Sequence, residues 1–306
     1  MAITLPKLST PDLKLLNVFV TVVHSGGFSA ARTELNVSQP TISVKISDLE
    51  NRLGMRLCQR GRGGFKLTAE GQRVYEASID LFRSLDNFGA EMASVRGRLG
   101  GELHVGVADA TVTNVEFKLN EAFTVFKREA PDVHLHLHVA SALELELGLV
   151  ESRLHVAIGP LQRRRPELVY APVLSEKQTL YCGRHHPLFE RAPDGVDPAE
   201  LSRVEFVKRG YLAHWQAPLG VRFNATATTI HMEATTRLIL AGTHIGYLPV
   251  HHAGSWVAAD ELRPILPALL TYDSPFYLAA RRSPSNAALR RFLKDFRVVQ
   301  GAPAPV

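Results

Sequence analysis

The 306-residue sequence contains only two cysteines, Cys58 and Cys182, and two tryptophans. The two thiols fall in stretches that read as different domains, so no disulfide framework is expected and a reducing compartment is. No run of about eighteen apolar residues occurs, which excludes a predicted membrane-spanning helix and a membrane partner. The opening MAITLPKLSTPDLK lacks the apolar stretch of a secretory signal, so the expected location is cytoplasmic. Also missing are a GxSxG elbow, an HExxH pair, a P-loop and a glycine fingerprint behind a strand. Without them the sequence does not read as an enzyme. Nor is there a large excess of one charge: the net is +5. That small excess is unevenly placed. Residues 1–100 hold 13 Lys+Arg against 9 Asp+Glu, whereas the remaining 206 hold 22 against 21. A basic first third beside a balanced remainder suits contact with a polyanion through one end of the chain.

What that first third contains is a helical reading head. Leu15, Val18, Phe19 and Val22 mark an amphipathic first helix, opened by Thr10 or Pro11 and ended near Ser25-Gly26-Gly27. A second helix is expected from Phe28 or Ser29 to Leu35, with Ala30 and Ala31 allowing close crossing. Ser38 can cap the next helix and Pro40 suits its first turn. Ile42, Ile46, Leu49 and Leu53 then recur at helical spacing. That stripe turns Pro40, Thr41, Val44 and Ser47 outward, with Ser43 and Lys45 on the flanks. Two helices joined by a short turn, the second offered to a groove, make a helix-turn-helix. Behind it come Arg56, Arg60, Arg62 and Lys66, with Gly61, Gly63 and Gly64 letting the loop bend as a phosphate-contacting wing would need. A solvated basic loop beside an ordinary three-helix core is the alternative.

The run FSAARTELNVSQPTISVKISDLENRLGMRLCQR…LTAEG resembles the N-terminal domain of the LysR-type transcriptional regulators, in order, in spacing and in the passage from recognition helix to wing to linker helix. The resemblance implies sequence-specific binding of double-stranded promoter or operator DNA. Gln39, Pro40, Ser43 and Lys45 would face the major groove, with Arg60 holding the wing to the backbone; Ser38, Thr41, Val44 and Arg62 are further candidate DNA contacts. Two positions depart from the family pattern. Val44 stands where a basic residue is usual and can offer only methyls, for instance to a thymine methyl. Cys58 stands where phenylalanine is usual and reads as a small core residue.

From Thr68 to Val95 there is no proline, and only Gly71 and Gly89 interrupt a helical pattern. Val74, Leu81, Phe88 and Val95 are spaced by seven, with Ser78, Leu85 and Met92 as the companion series. That alternation predicts a coiled-coil seam and hence a homodimer, with two heads on two half-sites. A helix packed on its own domain would give a similar stripe. The family resemblance implies that dimers pair into tetramers and makes RNA polymerase a candidate partner.

Beyond a hinge at residues 96–101 the pattern changes to strands alternating with helices. Strands are predicted at Leu103–Val107, Val133–Val139 and Leu154–Ile158, with helices at Val115–Glu129 and Leu143–Glu151. A second set follows: strands at Val169–Val173, Thr179–Cys182, Glu205–Val207 and Gly246–Leu248, and a helix at Thr235–Leu240. The segment Phe276–Ala280 and a helix at Asn286–Phe296 would return to complete the first lobe. Such alternation calls for a mostly parallel sheet. GELHVGVADATVT, VASALELELGLVESRLHVAIGP and ILAGTHIGYLP resemble the two-lobed effector domain of the same family, which is itself similar to periplasmic solute-binding proteins. His155 departs from that pattern, standing where an acidic residue is common.

The expected fold class is therefore α/β. A winged helix-turn-helix spans 10–68, a linker helix 69–96 and a two-lobed effector domain 101–300. Lobe 1 covers about 101–163 and 273–300, and lobe 2 about 164–272.

In an open α/β sheet ligands bind at the carboxyl ends of strands. That rule selects Asp109, Ala110, Thr111 and Thr113 after the first strand, Ser141 after the second, and Lys208, Arg209 and Gly210 after Val207. Thr243 joins them if the family likeness holds. Hydroxyls, helix-end amides and two cations suit a small carboxylate or other anion as co-inducer, whereas Asp109 would suit an amine. Helix caps and surface cations need the same residue types. No cofactor is assigned. His134, His136 and His138 alternate with apolar residues and share one strand face, with His104 a possible neighbour. Imidazole ligates zinc and nickel, but a partly solvated face or a subunit contact is the preferred reading, and no metal is assigned.

Overall fold

The computed structural model describes residues 9–61, 64–95, 99–161, 165–210, 216–282 and 286–301. They form two compact units, Met1–Phe88 and Gly89–Val306.

In the first unit, α1 (Thr10–His24), α2 (Ala31–Leu35) and α3 (Gln39–Leu53) pack around Phe19, Val22, Ala31, Ile42, Ile46, Leu49 and Leu57. Phe19, Val22, Ile42 and Ile46 are fully buried, as the i, i+3/i+4 spacing requires of one helix face. Ser9 and Asp12 close a capping box at the start of α1. Asp12 also receives the Arg52 guanidinium of α3 at 2.5 Å, which holds its carboxyl down at about 2. Gly54 ends α3 in the left-handed conformation. An antiparallel hairpin follows, β1 (Cys58–Gly61) on β2 (Gly64–Leu67), with Cys58 opposite Leu67. Buried Glu50 fixes its entry by accepting the Leu57 and Cys58 N–H groups at 2.8 and 3.1 Å.

Helix α4 (Ala69–Val95) then begins under a cap from Thr68, whose hydroxyl accepts the Gly71 N–H at 2.8 Å. A Cβ on Gly71 would lie 2.0 Å from the Leu57 carbonyl, so the position requires glycine. The seven-residue stripe of α4 divides in two. Val74 and Leu81, with Tyr75 and Phe82, pack against the head's own core, and Ser78 is buried. Leu85, Phe88 and Met92 are 44%, 64% and 45% exposed. The first half thus serves its own unit, as a solitary amphipathic helix would, and an uncovered apolar stripe begins only at Leu85. The Val95 side chain lies outside the described residues.

In the second unit the chain runs β3 (Gly101–Ala108), α5 (Leu119–Glu129), β4 (Val133–Ala140), α6 (Ala142–Val150), β5 (Val156–Gly159) and β6 (Leu168–Gly183). Then come β7 (Glu205–Arg209), β8 (Asn224–Thr229), α7 (Met232–Leu240), β9 (Gly246–Pro249), α8 (Val250–Ala258), β10 (Leu262–Pro264) and α9 (Pro267–Leu270). It closes with β11 (Tyr272–Arg281) and α10 (Ala287–Gln300). One seven-stranded sheet has the order β10-β6-β11-β5-β3-β4, with β9 also on β6, and β7 and β8 pair separately. Helices α5 and α10 cover one face of β3 and β5 through Phe126, Phe292 and Phe296, all fully buried. Leu145 and Leu149 of α6 cover the other. Burial on both faces explains why these strands read as apolar runs.

The sheet is mixed rather than mostly parallel. β4-β3-β5 are parallel, but β11 pairs antiparallel with both β5 and β6. The reason is that the chain leaves lobe 1 along β6 and returns along β11, side by side in opposite directions. β6 is one sixteen-residue strand where two were expected, and it carries polar Glu176 and Gln178 between them. Both are buried and hydrogen-bonded to each other. Helix α5 starts at Leu119, four residues late, after turns in which Val115 is 90% exposed. β8, NATATT, carries little apolar signal and went unpredicted, as did α8. Among the described residues no helix is long and apolar enough to cross a membrane.

Candidate nucleic-acid interface and effector cleft

Helix α3 presents its N-terminal end outward. Ser38, Gln39, Pro40, Thr41 and Ser47 are exposed, Val44 is 68% exposed, and Ser43 and Lys45 are half-buried on the flanks. The Ser38 hydroxyl caps the helix, accepting the Thr41 N–H at 3.4 Å and meeting the Thr41 hydroxyl at 2.8 Å. Asn36 supplies the left-handed turn between α2 and α3, a conformation asparagine tolerates better than most residues. Ile42, Ile46 and Leu49 anchor the opposite face, so the outward one is small, mostly uncharged and rigidly backed. Of the basic residues behind it, Arg56 pairs with Glu50 at 3.3 Å and Lys66 is exposed on β2. Arg60 lies on β1, but its side chain is outside the described residues, as is Arg62.

In the second unit the carboxyl ends of β3, β7 and β9 supply a connected set of polar groups. The Thr113 hydroxyl meets His251 Nδ1 at 2.8 Å, and His251 Nε2 meets Glu176 Oε1 at 2.7 Å. The other Glu176 oxygen accepts from Gln178, and Gln178 Oε1 accepts from Arg209 at 2.7 Å. Arg209 also donates to the Tyr247 carbonyl at 2.9 Å. This path runs from the loop after β3 in lobe 1, through crossover strand β6, to β7 and β9 in lobe 2. Beside it His252 Nε2 meets the Thr236 hydroxyl at 3.0 Å, and burial pushes the His252 pKa down. The region therefore joins a buried acid, Glu176, and a buried cation, Arg209, in one network, with the His251 imidazole between Glu176 and Thr113.

The residues selected from sequence separate into groups. Thr113 and Arg209 belong to the network. Asp109 does not stand open to an amine: its carboxylate accepts the Met232 N–H at the start of α7, with His231 at 3.8 Å. It is a helix cap reaching from one lobe to the other. The Thr111 hydroxyl donates to the Ala108 carbonyl, and Ala110 takes a positive φ of 59°, so both shape the turn. Ser141 is buried in a capping box with Glu144 at the head of α6, and its hydrogen bonds hold the Glu144 carboxyl below the usual range. Lys208 is exposed, one residue before buried Arg209 and so on the other face of β7. The Gly210 N–H bonds the Thr229 carbonyl at 2.9 Å. Thr243 sits past the C-terminal end of α7, whereas Asp109 is at its N-terminal end, about 13 Å away for a nine-residue helix. There it meets His244 and the Leu238 carbonyl, at the amino rather than the carboxyl end of β9.

Sequence reading missed Glu176, Gln178, His251 and His252. The two histidines follow β9, so the same rule that chose Arg209 after β7 would have selected them. Glu176 and Gln178 carried no such signal, lying mid-strand in the gap between two predicted strands.

Comparison with known proteins agrees with both halves of the chain. Residues 13–72 match the family described as bacterial regulatory helix-turn-helix protein, lysR family, and residues 96–298 match the LysR substrate binding domain. The chain is similar to the HTH-type transcriptional activator BauR of Pseudomonas aeruginosa, 39% identical over 297 residues, covering 96% of this chain and 97% of that one. It is 29% identical to the probable HTH-type transcriptional regulator LrrA of Synechococcus elongatus, over 65% of this chain and 66% of the other. In fold it is similar to full-length CbnR crystallised with its target DNA (TM-score 0.64, 22% identity, 94% of this chain and 99% of that one). A full-length AphB variant gives 0.60 at 18% identity, over 93% and 98%. The chain belongs to the LysR family of transcriptional regulators, DNA-binding proteins that join a helix-turn-helix head to an effector-binding domain.

Proposed function

We propose that this regulator reads operator DNA through Ser38, Gln39, Pro40, Thr41, Ser43, Val44 and Lys45. Arg60 and Arg62 would hold the wing to phosphates. The observation that carries this is the outward, small-residue end of α3 backed by fully buried Ile42 and Ile46, which leaves room for close approach to base edges. Fluorescence anisotropy of the full chain on promoter fragments against random competitor DNA tests it. Preference for a promoter fragment that Ser43→Ala redistributes among operator variants is expected. Equal loss on every variant would remove Ser43 from base reading.

The effector is a small carboxylate or similar anion, bound where Thr113, His251, Glu176, Gln178 and Arg209 connect the two lobes. Arg209 is its cationic partner, with Thr111 at the margin. A ligand joining the lobes would favour one subunit packing over another and so shift the heads along DNA. Thermal shift of the full chain against a panel of small carboxylates tests this, and Arg209→Lys should abolish the response of any hit. A hit unaffected by that change would place the cleft elsewhere.

The uncovered stripe Leu85, Phe88 and Met92 on α4 supports a homodimer seam, and the tetramer is its family extension. Leu85→Asp should split the dimer in sedimentation, and dimers that survive it would move the seam. A role on DNA supports a cytoplasmic location. The relative BauR is named an activator; activation here would add RNA polymerase as a partner. The reading leaves no catalytic role for any residue.

A further inference from the structure

Lobe 1 carries a second cluster that neither DNA reading nor effector binding uses. β3 and β4 pair in parallel with His104 opposite His136, Glu102 opposite His134 and Gly106 opposite His138. β4 is the edge strand of the sheet. Period-two alternation puts all these side chains on one face, and the sequence provides an imidazole at every second position of β4. The rings of His104 and His136 stack at 4.1 Å with planes 7° apart. Glu102 sits at their heads, its Oε2 3.1 Å from His104 Nε2 and 3.5 Å from His136 Nε2. His136 Nε2 is buried and makes no hydrogen bond among the described residues.

We propose that Glu102, His104 and His136 form a binding site for a divalent transition-metal ion of the zinc, nickel and cobalt class. All three donor atoms lie within 4.8 Å of one another. A tetrahedral ion with bonds of about 2.1 Å holds its donors about 3.4 Å apart. The observed 3.1 and 3.5 Å from Glu102 bracket that separation, while one of the two stacked imidazoles must turn out of its near-parallel arrangement for both lone pairs to meet one ion. Two imidazoles and one carboxylate suit borderline metals, whereas magnesium and calcium require an all-oxygen set.

The surrounding groups favour the charge states a metal needs. Burial pushes the His104 and His138 pKa values down, and the His104 hydrogen bond lowers that of Glu102. Metal at His104 Nε2 moves that ring's proton to Nδ1, where His138 Nε2 lies 3.4 Å away as acceptor. A ligating histidine usually donates its second nitrogen in this way. His155 is already committed, its Nδ1 accepting the His104 backbone N–H at 3.0 Å, and its ring meets His104 edge-on at 5.3 Å. Glu102 is 54% exposed, giving the ion a path from solvent and leaving a fourth position for water. The cluster lies about four residues, or roughly 13 Å, from the carboxyl end of β3. Its occupancy is therefore separable from that of the effector cleft.

The test uses the full chain stripped by a chelator and titrated with zinc chloride against a chromogenic competitor, with cobalt chloride as a spectroscopic probe. One zinc per chain at micromolar free metal is expected, with cobalt absorption showing nitrogen and oxygen donors. His104→Gln, His136→Gln and Glu102→Gln should each weaken zinc binding by at least about tenfold. His185→Gln, at an exposed turn, should leave it unchanged, and calcium chloride should not compete. Circular dichroism confirms the fold of each variant, and Glu102→Gln keeps the side-chain shape should a histidine change disturb the strand. Less than one equivalent of zinc on the wild type overturns the proposal. So does binding that survives in the His104→Gln, His136→Gln double variant.

Discussion

Ser38 and Ser141 occupy the same kind of position in the two units, each capping a helix, α3 in the head and α6 in lobe 1. Both were selected from sequence as ligand-facing residues, and the structure treats them differently. Ser38 is exposed, and among the described residues its hydroxyl meets Thr41's backbone and hydroxyl. Ser141 is 4% exposed, and Glu144 engages both its hydroxyl and its backbone N–H. A cap that is open to solvent can still serve an incoming partner. One closed by a capping box has already used its hydrogen-bonding capacity. The residue type is shared, and burial decides which role it can take.

The largest expected effects test whether the two regions rest on separate cores. Phe292→Ala empties the centre of the α5–α10 layer and should destabilise the effector module by about 3–5 kcal/mol, and Ile46→Ala should cost the head about 2–5 kcal/mol. Hydrogen exchange read by peptide should show Phe292→Ala loosening residues 101–300 while α3 keeps its protection, with the reverse for Ile46→Ala. Equal loosening of both units by either change would break the comparison.

Next in size is the wing. Arg60→Ala should weaken binding on every DNA sequence alike and reduce the slope of log affinity against log salt by about 0.9, the share of one phosphate. No substitution in the effector network should change that slope. A slope unmoved by Arg60→Ala takes Arg60 off the backbone.

The unequal legibility of the two regions has a physical cause. One helix carries the reading face of the head, and its 3.6-residue period fixes which side chains are buried. Ile42, Ile46 and Leu49 therefore identified Pro40, Thr41, Val44 and Ser47 as outward without any tertiary knowledge. The cleft network draws Thr113, Glu176, Arg209 and His251 from four separate segments. No local period links them, and only sheet order brings them together. Strand-end logic found Thr113 and Arg209 but also selected Asp109, which caps α7, and Thr243, included on the family likeness, lies at the amino end of β9. The same period-two alternation that put three histidines on one face of β4 could not tell that Glu102 would meet two of their cluster. That depended on the β3–β4 register.

A smaller effect sharpens the comparison of the two serines. Ser141→Ala should cost about 0.5–2 kcal/mol of stability as a lost cap, visible as a lower urea midpoint, and leave affinity for any cleft ligand unchanged. Ser38→Ala should cost a similar amount and also weaken operator binding. A loss of ligand affinity in Ser141→Ala would return that hydroxyl to the cleft.

The smallest expected effect concerns the tie between α1 and α3. Hydrogen bonds from Arg52 and then Ser9 lower the Asp12 carboxyl from its ordinary 3.8 to about 2. A carboxylate depressed in the folded state adds stability that is complete above the ordinary value and is lost as pH falls towards the folded one. Asp12 should therefore contribute fully at neutral pH and lose its contribution between 3.8 and about 2. Arg52 is 43% exposed, so the attraction is screened by solvent and should shrink further with added salt. Urea midpoints measured across that window should fall more steeply for the wild type than for Asp12→Asn, with the gap narrowing at high salt. Parallel curves would mean that the capping box alone, without the Arg52 bridge, holds the start of α1 to the head.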